Sequence, residues 1–450
     1  MTFVDRPLWL RFLIFLVPLM ASNILQSMSG TINGIFVGQL IGVEALAAVS
    51  VFFPILILLI SFLIGLASGA SILIGQAWGA KNLLKIREIF GTALSVTFLG
   101  GLVVAVVGGL FARNIMEAVG TPPDVIEMAS DYARVMLIGS PGFFIFLIIT
   151  STLRGVGDTV TPLIALCLNV LVGFAVTPAL ILGWFGLPQL GVVSAAVAFI
   201  VGFTVVLGFL LIYLNLRGSP MAPNRALLPH LKINGRLLLL VLKLGVPAGV
   251  QMVVSSLAAL IVVGIVNRFG SDATAAYGAV NQVMSYVQFP AMSIAIASSI
   301  FAAQAIGAGR MAEVERVTRT GLIMTAVITG TFVVIAYLFS ENLIRLFITS
   351  EAVVQLSEAL LHIVLWSVVM FGFGSVFSGV MRASGVVLVP MLLALVAIAG
   401  VELPAAIILS QAIGLEGIWI AYAMGFCTLL VLQASYYFLF WRRKEIRALV

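Results

Sequence analysis

Long apolar runs recur along the whole chain, and they limit its possible folds more than any other feature. Each run is close to the roughly 20 residues that an α-helix needs to cross the hydrocarbon of a bilayer. Hydrophobic residues make up 62% of the sequence and charged residues 9%, whereas a soluble domain has about 25% charged residues. We therefore predict an all-α membrane protein with 12 transmembrane helices. The runs lie approximately at residues 11–38, 46–73, 89–111, 132–153, 161–183, 190–215, 237–266, 275–305, 317–339, 358–381, 386–410 and 417–441.

A short charged motif between two of these runs is present twice. The first copy contains Arg154, Gly157 and Pro162, and the same three residue types recur 228 residues later. Recurrence at one fixed offset indicates a chain built from two similar halves. We place an N-terminal six-helix lobe at residues 1–215, a cytoplasmic linker with three prolines at 216–236, and a C-terminal six-helix lobe at 237–450.

The even number of spans in each half decides how the halves are oriented. Both halves are predicted to face the same way, as two six-helix bundles related by a pseudo-twofold axis along the membrane normal. A cleft between the bundles is expected from this arrangement. The first run lacks a cleavage-type ending and its counterpart in the second half is a span, so we expect a spanning helix and not a signal peptide.

Basic residues fall mainly on one side of the predicted membrane. With a cytoplasmic N-terminus, 19 of the 23 lie at inner ends or loops, Arg6 among them, and four lie outside: Arg113, Arg134, Arg268 and Arg345. The positive-inside rule then predicts a multi-pass protein of the plasma (inner) membrane with both termini in the cytoplasm. Because these residues flank apolar runs and form no basic domain, the net charge of +6 does not indicate a nucleic-acid partner.

Cysteine and histidine are too scarce to indicate a metal or redox centre. The two cysteines lie inside apolar runs and the two histidines lie far apart in the sequence, so neither a disulfide framework nor a zinc site is predicted. We expect no cofactor, no metal and a monomer in the lipid bilayer.

The duplicated motif has the composition of a tight turn between two helices. Gly157 and Gly385 occupy positions where a cytoplasmic turn needs a positive φ, and Asp158 or Thr159 is placed to cap the next helix. The simplest interpretation is that both halves need the same turn.

Several motifs together resemble one transporter family. They are Leu-Arg-Gly-x-Gly-Asp-Thr-x-Thr-Pro at 153–162, Gln-x-x-Gly-Ala-Lys at 76–81, and Phe36-Val37-Gly38 followed by Leu-Ala-Ala-Val at 46–49. In this combination the chain resembles the multidrug and toxic compound extrusion family. The resemblance implies a cation-driven antiporter that exports amphipathic, often cationic, compounds by alternating movements of two six-helix lobes.

The carboxylates that usually couple ions in that family are missing from this chain. The corresponding positions hold Asn33 in the first span, Thr177 in the fifth, Ser255 in the seventh and Phe371 in the tenth. The family's coupling sites therefore cannot be transferred residue by residue. Asn33 is kept as an ion-coupling candidate because it occupies the position of the first missing acid.

One acidic residue lies inside a predicted span. Glu402 is roughly 18 Å along its helix from Pro390, within a hydrocarbon layer of about 30 Å. An unpaired carboxylate there would cost several kcal/mol, so it is expected to be protonated, paired or facing a watery cleft. Our hypothesis is that Glu402 carries the coupling proton. The alternative is a permanently neutral Glu that hydrogen-bonds a helix backbone freed by Pro404.

Amide and hydroxyl side chains inside the spans are candidates for lining a substrate cleft. Those of the first helix share one face by their spacing, and others cluster in the seventh and eighth helices. The alternative for each is polar packing between helices. The candidates are Asn23, Gln26, Asn33, Gln251, Ser255, Asn281, Gln282 and Gln288.

Prolines at matching places in the two halves are candidates for hinges. Pro18 in the first helix and Pro247 in the seventh begin the two lobes. A bend at these residues could gate the cleft, and a static kink is the alternative.

Three functions are possible for a membrane protein of this kind. The first is secondary antiport of small organic compounds in exchange for H⁺ or Na⁺, that is, multidrug efflux. The second is flipping of a lipid-linked precursor, which would favour several Arg or Lys at mid-membrane, whereas the basic residues here lie at ends and loops. The third, an integral-membrane enzyme, would need converging titratable groups that the sequence does not supply. Antiport is the prediction.

Overall fold

The computed structural model describes residues 7–450, and Arg6, counted above on the inner side, lies outside them. The described part of the chain is helical and contains no β-strand. The helices are α1 Leu8–Leu40, α2 Val43–Gly79, α3 Leu83–Ala118, α4 Ile126–Ile138, α5 Ser140–Gly155, α6 Val160–Leu182, α7 Val193–Leu216, α8 Gly235–Val266, α9 Ser271–Gly307, α10 Met311–Met324, α11 Gly330–Leu338, α12 Ser340–Arg345, α13 Glu351–Val364, α14 Ser367–Ala383, α15 Leu388–Leu395, α16 Leu403–Ile413 and α17 Leu415–Leu439.

The prediction of 12 membrane spans is confirmed. Within residues 7–450, ten continuous or nearly continuous helical stretches are long and apolar enough to cross a bilayer. The other two spans are bent pairs, α4 with α5 at 48° and α13 with α14 at 43°. Pro141 lies in the first turn of α5, where it lacks the N–H that would continue the hydrogen-bond ladder of α4.

The chain forms two compact units. The first-half unit comprises Ala21–Trp78 and Asn82–Gly245, and the second-half unit comprises residues 7–20, Gly79–Lys81 and Val246–Val450. Each contains a core of buried aliphatic and aromatic side chains. The unit boundaries fall inside α1 and α8, within three residues of Pro18 and Pro247 respectively. The lobe limits drawn from the sequence, 1–215 and 237–450, stay a prediction.

Two spans of the second-half unit contain a π-helical segment. Thr325–Thr329 joins α10 to α11, and Val396–Glu402 joins α15 to α16. The offset between the halves is 228 residues at α10 and 226 near Pro404, which matches Pro178. The repeat counterparts are therefore residues 97–101 of α3 and 170–176 of α6, which are α-helical. π-helical turns occur frequently at functional sites. The two π-helical segments therefore make the second-half unit the place to expect such a site.

The segment between the halves is an ordered part of the first-half unit. The Ser95 hydroxyl donates a hydrogen bond to the Leu231 carbonyl at 2.7 Å, and the Asn234 N–H donates one to the Thr92 hydroxyl at 3.4 Å. At Gly91 an added methyl group would overlap the carbonyl of His230. The predicted linker therefore packs directly on α3.

The turn chemistry predicted for the duplicated motif is confirmed. Gly157 and Gly385 have φ values of 96° and 88°, a region that residues with a Cβ rarely occupy. Asp158 accepts a hydrogen bond from the Thr161 N–H at 2.9 Å and another from its hydroxyl at 2.5 Å. Asp158, and not Thr159, therefore caps α6. The repeat counterpart of Asp158 is Val386, so the second turn has no such cap.

Candidate functional site

Glu402 is the last residue of the π-helical segment Val396–Glu402, two residues before Pro404 at the start of α16. Among residues 7–450 it is the only acidic side chain less than a tenth exposed, at 7%. No Lys, Arg or His occurs in residues 388–439, its own span and the next, or in residues 271–307 of α9. No described residue forms an ion pair with its carboxyl or donates a hydrogen bond to it. The structure therefore places a buried carboxyl where no cation compensates its charge.

Gly425 on α17 lets this carboxyl pack directly on a neighbouring helix. A Cβ added at Gly425 would lie 2.7 Å from Glu402 Oε2 and 3.0 Å from Glu402 Cβ. Real Cβ atoms essentially never approach another heavy atom to 2.7 Å, and a contact of 3.0 Å is tighter than nearly all. A side chain at residue 425 would therefore displace Glu402.

Two tyrosines adjoin the carboxyl. The hydroxyls of Tyr277 on α9 and Tyr422 on α17 form a hydrogen bond of 2.9 Å, and the Glu402 carboxyl lies within electrostatic range of both. Tyr422 is three residues before Gly425, so both lie on the helix face that Glu402 contacts. Asn281 is four residues after Tyr277 on α9, so it lies on the same helix face, one turn along.

Aromatic rings close one side of this cluster. Trp419 is 1% exposed, and its ring centroid lies 5.3 Å from that of Tyr277 and 5.4 Å from that of Tyr422. Its indole N–H has no acceptor among the described residues. Phe371, at a position where the family resemblance implies an acid, packs on Phe426 at 5.1 Å. Where these rings pack, they limit the access of water to the Glu402 carboxyl and the two tyrosine hydroxyls.

The predicted cleft residues of α8 have partners within the second-half unit. The side-chain carbonyl of Gln251 accepts a hydrogen bond from the guanidinium of Arg382, in the duplicated motif. The Ser255 hydroxyl donates to the backbone carbonyl of Gln251 at 2.9 Å. Gln251 therefore joins α8 to the last turn of α14, a contact that sequence spacing did not indicate.

Replacing Gln251 by Leu is expected to destabilise the protein by about 1–3 kcal/mol, because a partly buried guanidinium loses its acceptor. Thermal unfolding of the purified protein in detergent measures the change. The matched control is Gln288→Leu on α9, also half-buried. Equal unfolding temperatures for the two variants would show that the contact contributes nothing.

The remaining predicted residues are not gathered into this cluster. Asn23 and Asn33 are half-buried and Gln26 is exposed, all on the part of α1 that belongs to the first-half unit. Gln282 and Gln288 are half-buried on α9, and Pro18 and Pro247 lie inside α1 and α8. Their roles in binding or gating stay predictions.

Sequence reasoning missed Tyr422, Gly425 and Trp419 as parts of the site. The spacing of Tyr422 and Gly425 shows that they share a helix face, as does that of Tyr277 and Asn281. That spacing does not reveal which helices meet, because Tyr277 and Tyr422 are 145 residues apart.

Comparison with known proteins gives consistent matches along the chain. The MatE family model matches residues 18–179 and 247–408, one match in each half. The chain is 43% identical to the probable multidrug resistance protein YoeA of Bacillus subtilis, over 98% of this chain and 96% of that protein. It is 27% identical to the probable multidrug resistance protein NorM of Thermotoga maritima, over 90% of this chain and 86% of that protein. The crystal structure of a mutant of the Vibrio cholerae MATE transporter VcmN is similar in fold, with a TM-score of 0.88 at 19% identity, covering 97% of this chain and 98% of that one.

Proposed function

We propose, since this chain belongs to the MatE family of membrane transporters, that it exports amphipathic and cationic organic compounds across the plasma membrane in exchange for protons. Relatives that cover nearly the whole chain are described as multidrug resistance proteins, which supports this substrate class. Export would proceed by alternating access, with both termini in the cytoplasm as the distribution of basic residues predicts.

The observation that carries the proposal is the buried Glu402, which has no basic partner among residues 7–450. In the outward-facing state its carboxyl would take a proton from outside, and in the inward-facing state it would release that proton to the cytoplasm. A carboxyl that binds a proton becomes neutral and is far less costly to keep in an apolar surrounding than the charged form. Proton binding and substrate binding would therefore favour different states of the transporter.

A proton suits this site better than a sodium ion. A metal cation held by oxygen ligands needs several of them around it, whereas the side-chain oxygen groups near the Glu402 carboxyl are two tyrosine hydroxyls, which bond each other, and the half-buried Asn281 amide. Among the described residues, no three or more His, Cys, Asp or Glu side chains lie together in a group that could hold a metal ion. Sodium is accordingly the alternative that the experiment must test.

Proton-driven and sodium-driven transport are separated by an assay in proteoliposomes. Purified protein is reconstituted, membrane voltage is clamped at zero with potassium and valinomycin, and uptake of the fluorescent cation ethidium is followed. A proton gradient alone is expected to drive uptake and a sodium gradient alone is not. Uptake driven only by sodium would overturn the choice of coupling ion, and uptake independent of both gradients would overturn antiport.

A further inference from the structure

We propose that the segment after α17, residues 440–450, binds the anionic headgroups of phospholipids at the membrane surface. This site is separate from the proposed export function and does not depend on the coupling ion. Three features of the segment, called the tail below, support it: its attachment to a turn, its course along α17, and its exposed basic side chains.

The tail is attached at two points to the turn at Gly385, the second copy of the duplicated motif. The Trp441 indole donates a hydrogen bond to the Ser384 hydroxyl at 2.9 Å, and Trp441 is buried. Eight residues later, Leu449 lies against Gly385, where an added Cβ would be 2.9 Å from Leu449 Cδ1. The first copy of this turn has the Asp158 cap, which the second copy lacks. The tail thus covers the turn that has no cap.

Between these two attachments the tail folds back along α17. Lys444 Nζ donates a hydrogen bond to the Tyr436 hydroxyl at 3.2 Å and lies 5.7 Å from the centre of the Tyr436 ring. Phe438 and Phe440, on either side of the helix end at Leu439, are exposed, as side chains that face acyl chains are. A Lys and a Tyr beside exposed apolar residues are typical of the headgroup level of a bilayer. The tail therefore lies along the membrane surface and does not extend away from it.

The exposed side chains of the tail are mainly basic. The Arg443 side chain forms no hydrogen bond or ion pair with residues 7–450, and Arg447 pairs only with the exposed Glu445, at 3.0 Å. Arg442 donates a hydrogen bond to Glu315 on α10 at 2.6 Å. With Lys444, four basic residues and one acid give residues 442–447 a net side-chain charge of +3. This charge is held at the membrane surface by the contacts of Trp441, Lys444 and Leu449.

The positive-inside rule alone does not account for this arrangement, because it concerns the number of basic residues in a loop and not their place in the fold. Trp441 corresponds to Asn215 at the offset of 226 residues, and the Asn215 amide donates to the Leu211 carbonyl of its own helix. Neither the basic run nor the indole bond is therefore repeated in the first half. The counterparts of Arg442, Arg443, Lys444 and Arg447 are Leu216, Arg217, Gly218 and Met221.

An anionic phospholipid such as phosphatidylglycerol has the chemistry that this surface recognises. Its phosphate oxygens accept charge-assisted hydrogen bonds from guanidinium groups, and basic clusters next to a spanning helix attract anionic lipids. A lipid is favoured over a soluble anion because the tail lies beside side chains of α17 that face acyl chains. A lipid bound there would contact the turn that leads into α15 and the eleventh span.

The test is thermal unfolding of the full-length protein in a non-ionic detergent, with phosphatidylglycerol or phosphatidylcholine added. A ligand that binds the folded state raises the unfolding temperature, so we expect a rise with phosphatidylglycerol and none with phosphatidylcholine. In Arg443→Gln combined with Arg447→Gln, the phosphatidylglycerol concentration that gives half the rise should increase roughly tenfold or more, since each basic side chain contributes about fivefold. The matched control is Arg225→Gln combined with Arg236→Gln, two exposed basic residues between the halves, which should leave that concentration unchanged.

Trp441→Phe distinguishes a built site from diffuse attraction by positive charge. It keeps every basic residue and a ring but has no N–H for the Ser384 hydroxyl, so the affinity for phosphatidylglycerol should fall roughly threefold or more. Unchanged affinity in this variant would overturn the built site. An equal rise with both lipids, or an equal loss in the two double variants, would overturn lipid recognition by the tail. An equal rise with soluble glycerol phosphate would overturn the choice of a lipid. Because no ion gradient is used, these outcomes are independent of the proposed proton coupling.

Discussion

Glu402→Gln is expected to reduce proton-driven uptake to the level of protein-free vesicles. The amide has nearly the shape of the carboxyl, so packing against Gly425 is retained. Because an amide does not bind and release a proton near neutral pH, coupling is lost. The matched control is Glu416→Gln, an exposed acid in the first turn of α17, which should transport as the unmodified protein does.

Substrate binding gives an independent measurement of the same change. Protonation of Glu402 removes the negative charge that a cationic substrate favours, so ethidium affinity of the unmodified protein should weaken as the pH is lowered. In Glu402→Gln the side chain is neutral at every pH, and the affinity should be weak and independent of pH. Proton-driven uptake by the Gln variant at more than a tenth of the unmodified rate would rule out Glu402 as the coupling group.

Gly425→Val is expected to abolish coupled uptake as well, by displacing Glu402. A Cβ at this position meets the Glu402 carboxylate and also the Glu402 Cβ, and the latter cannot move without its backbone. The π-helical segment and α17 must then separate, which breaks the approach of the carboxyl to Tyr422. Overpacking of this kind costs about 1–3 kcal/mol, so a folded but uncoupled protein is the expected result.

The control for this change is Gly264→Val on α8, where no atom lies within 4 Å of an added Cβ. Thermal unfolding and ethidium exchange without a gradient show whether each variant is folded, and uptake under a proton gradient shows whether it is coupled. Normal coupling in a folded Gly425→Val protein would contradict the close packing of Glu402.

The spans and the duplication could be predicted because their signals are local or periodic. Runs of about 20 apolar residues indicate spans by length alone, and a fixed offset of 228 residues indicates repeats. The same holds for the turn at Gly157, whose residue types specify its backbone. Glu402 could be found because an acid inside an apolar run is costly and therefore conspicuous.

The rest depends on contacts between distant parts of the chain. The tenth span was predicted at 358–381 as one helix, and it is a bent pair extending from Glu351 to Ala383. The π-helical segment in the middle of the eleventh span has no signature in hydrophobicity, since a wider helical turn leaves the composition unchanged. Gln251 was predicted to line a cleft because it is polar within a span, and its bond to Arg382 is known only from the packing of α8 and α14.

A single embedded acid sets the electrical balance of an export cycle under the proposed coupling. One proton entering for one monovalent organic cation leaving moves no net charge, so membrane voltage neither drives nor opposes that exchange. A neutral compound exported in the same cycle is accompanied by one inward charge, worth about 2.3 kcal/mol per 100 mV. The steepest concentration gradient of a compound that this protein can maintain therefore depends on the charge of that compound, and membrane voltage adds more to the export of an uncharged compound than to that of a cation.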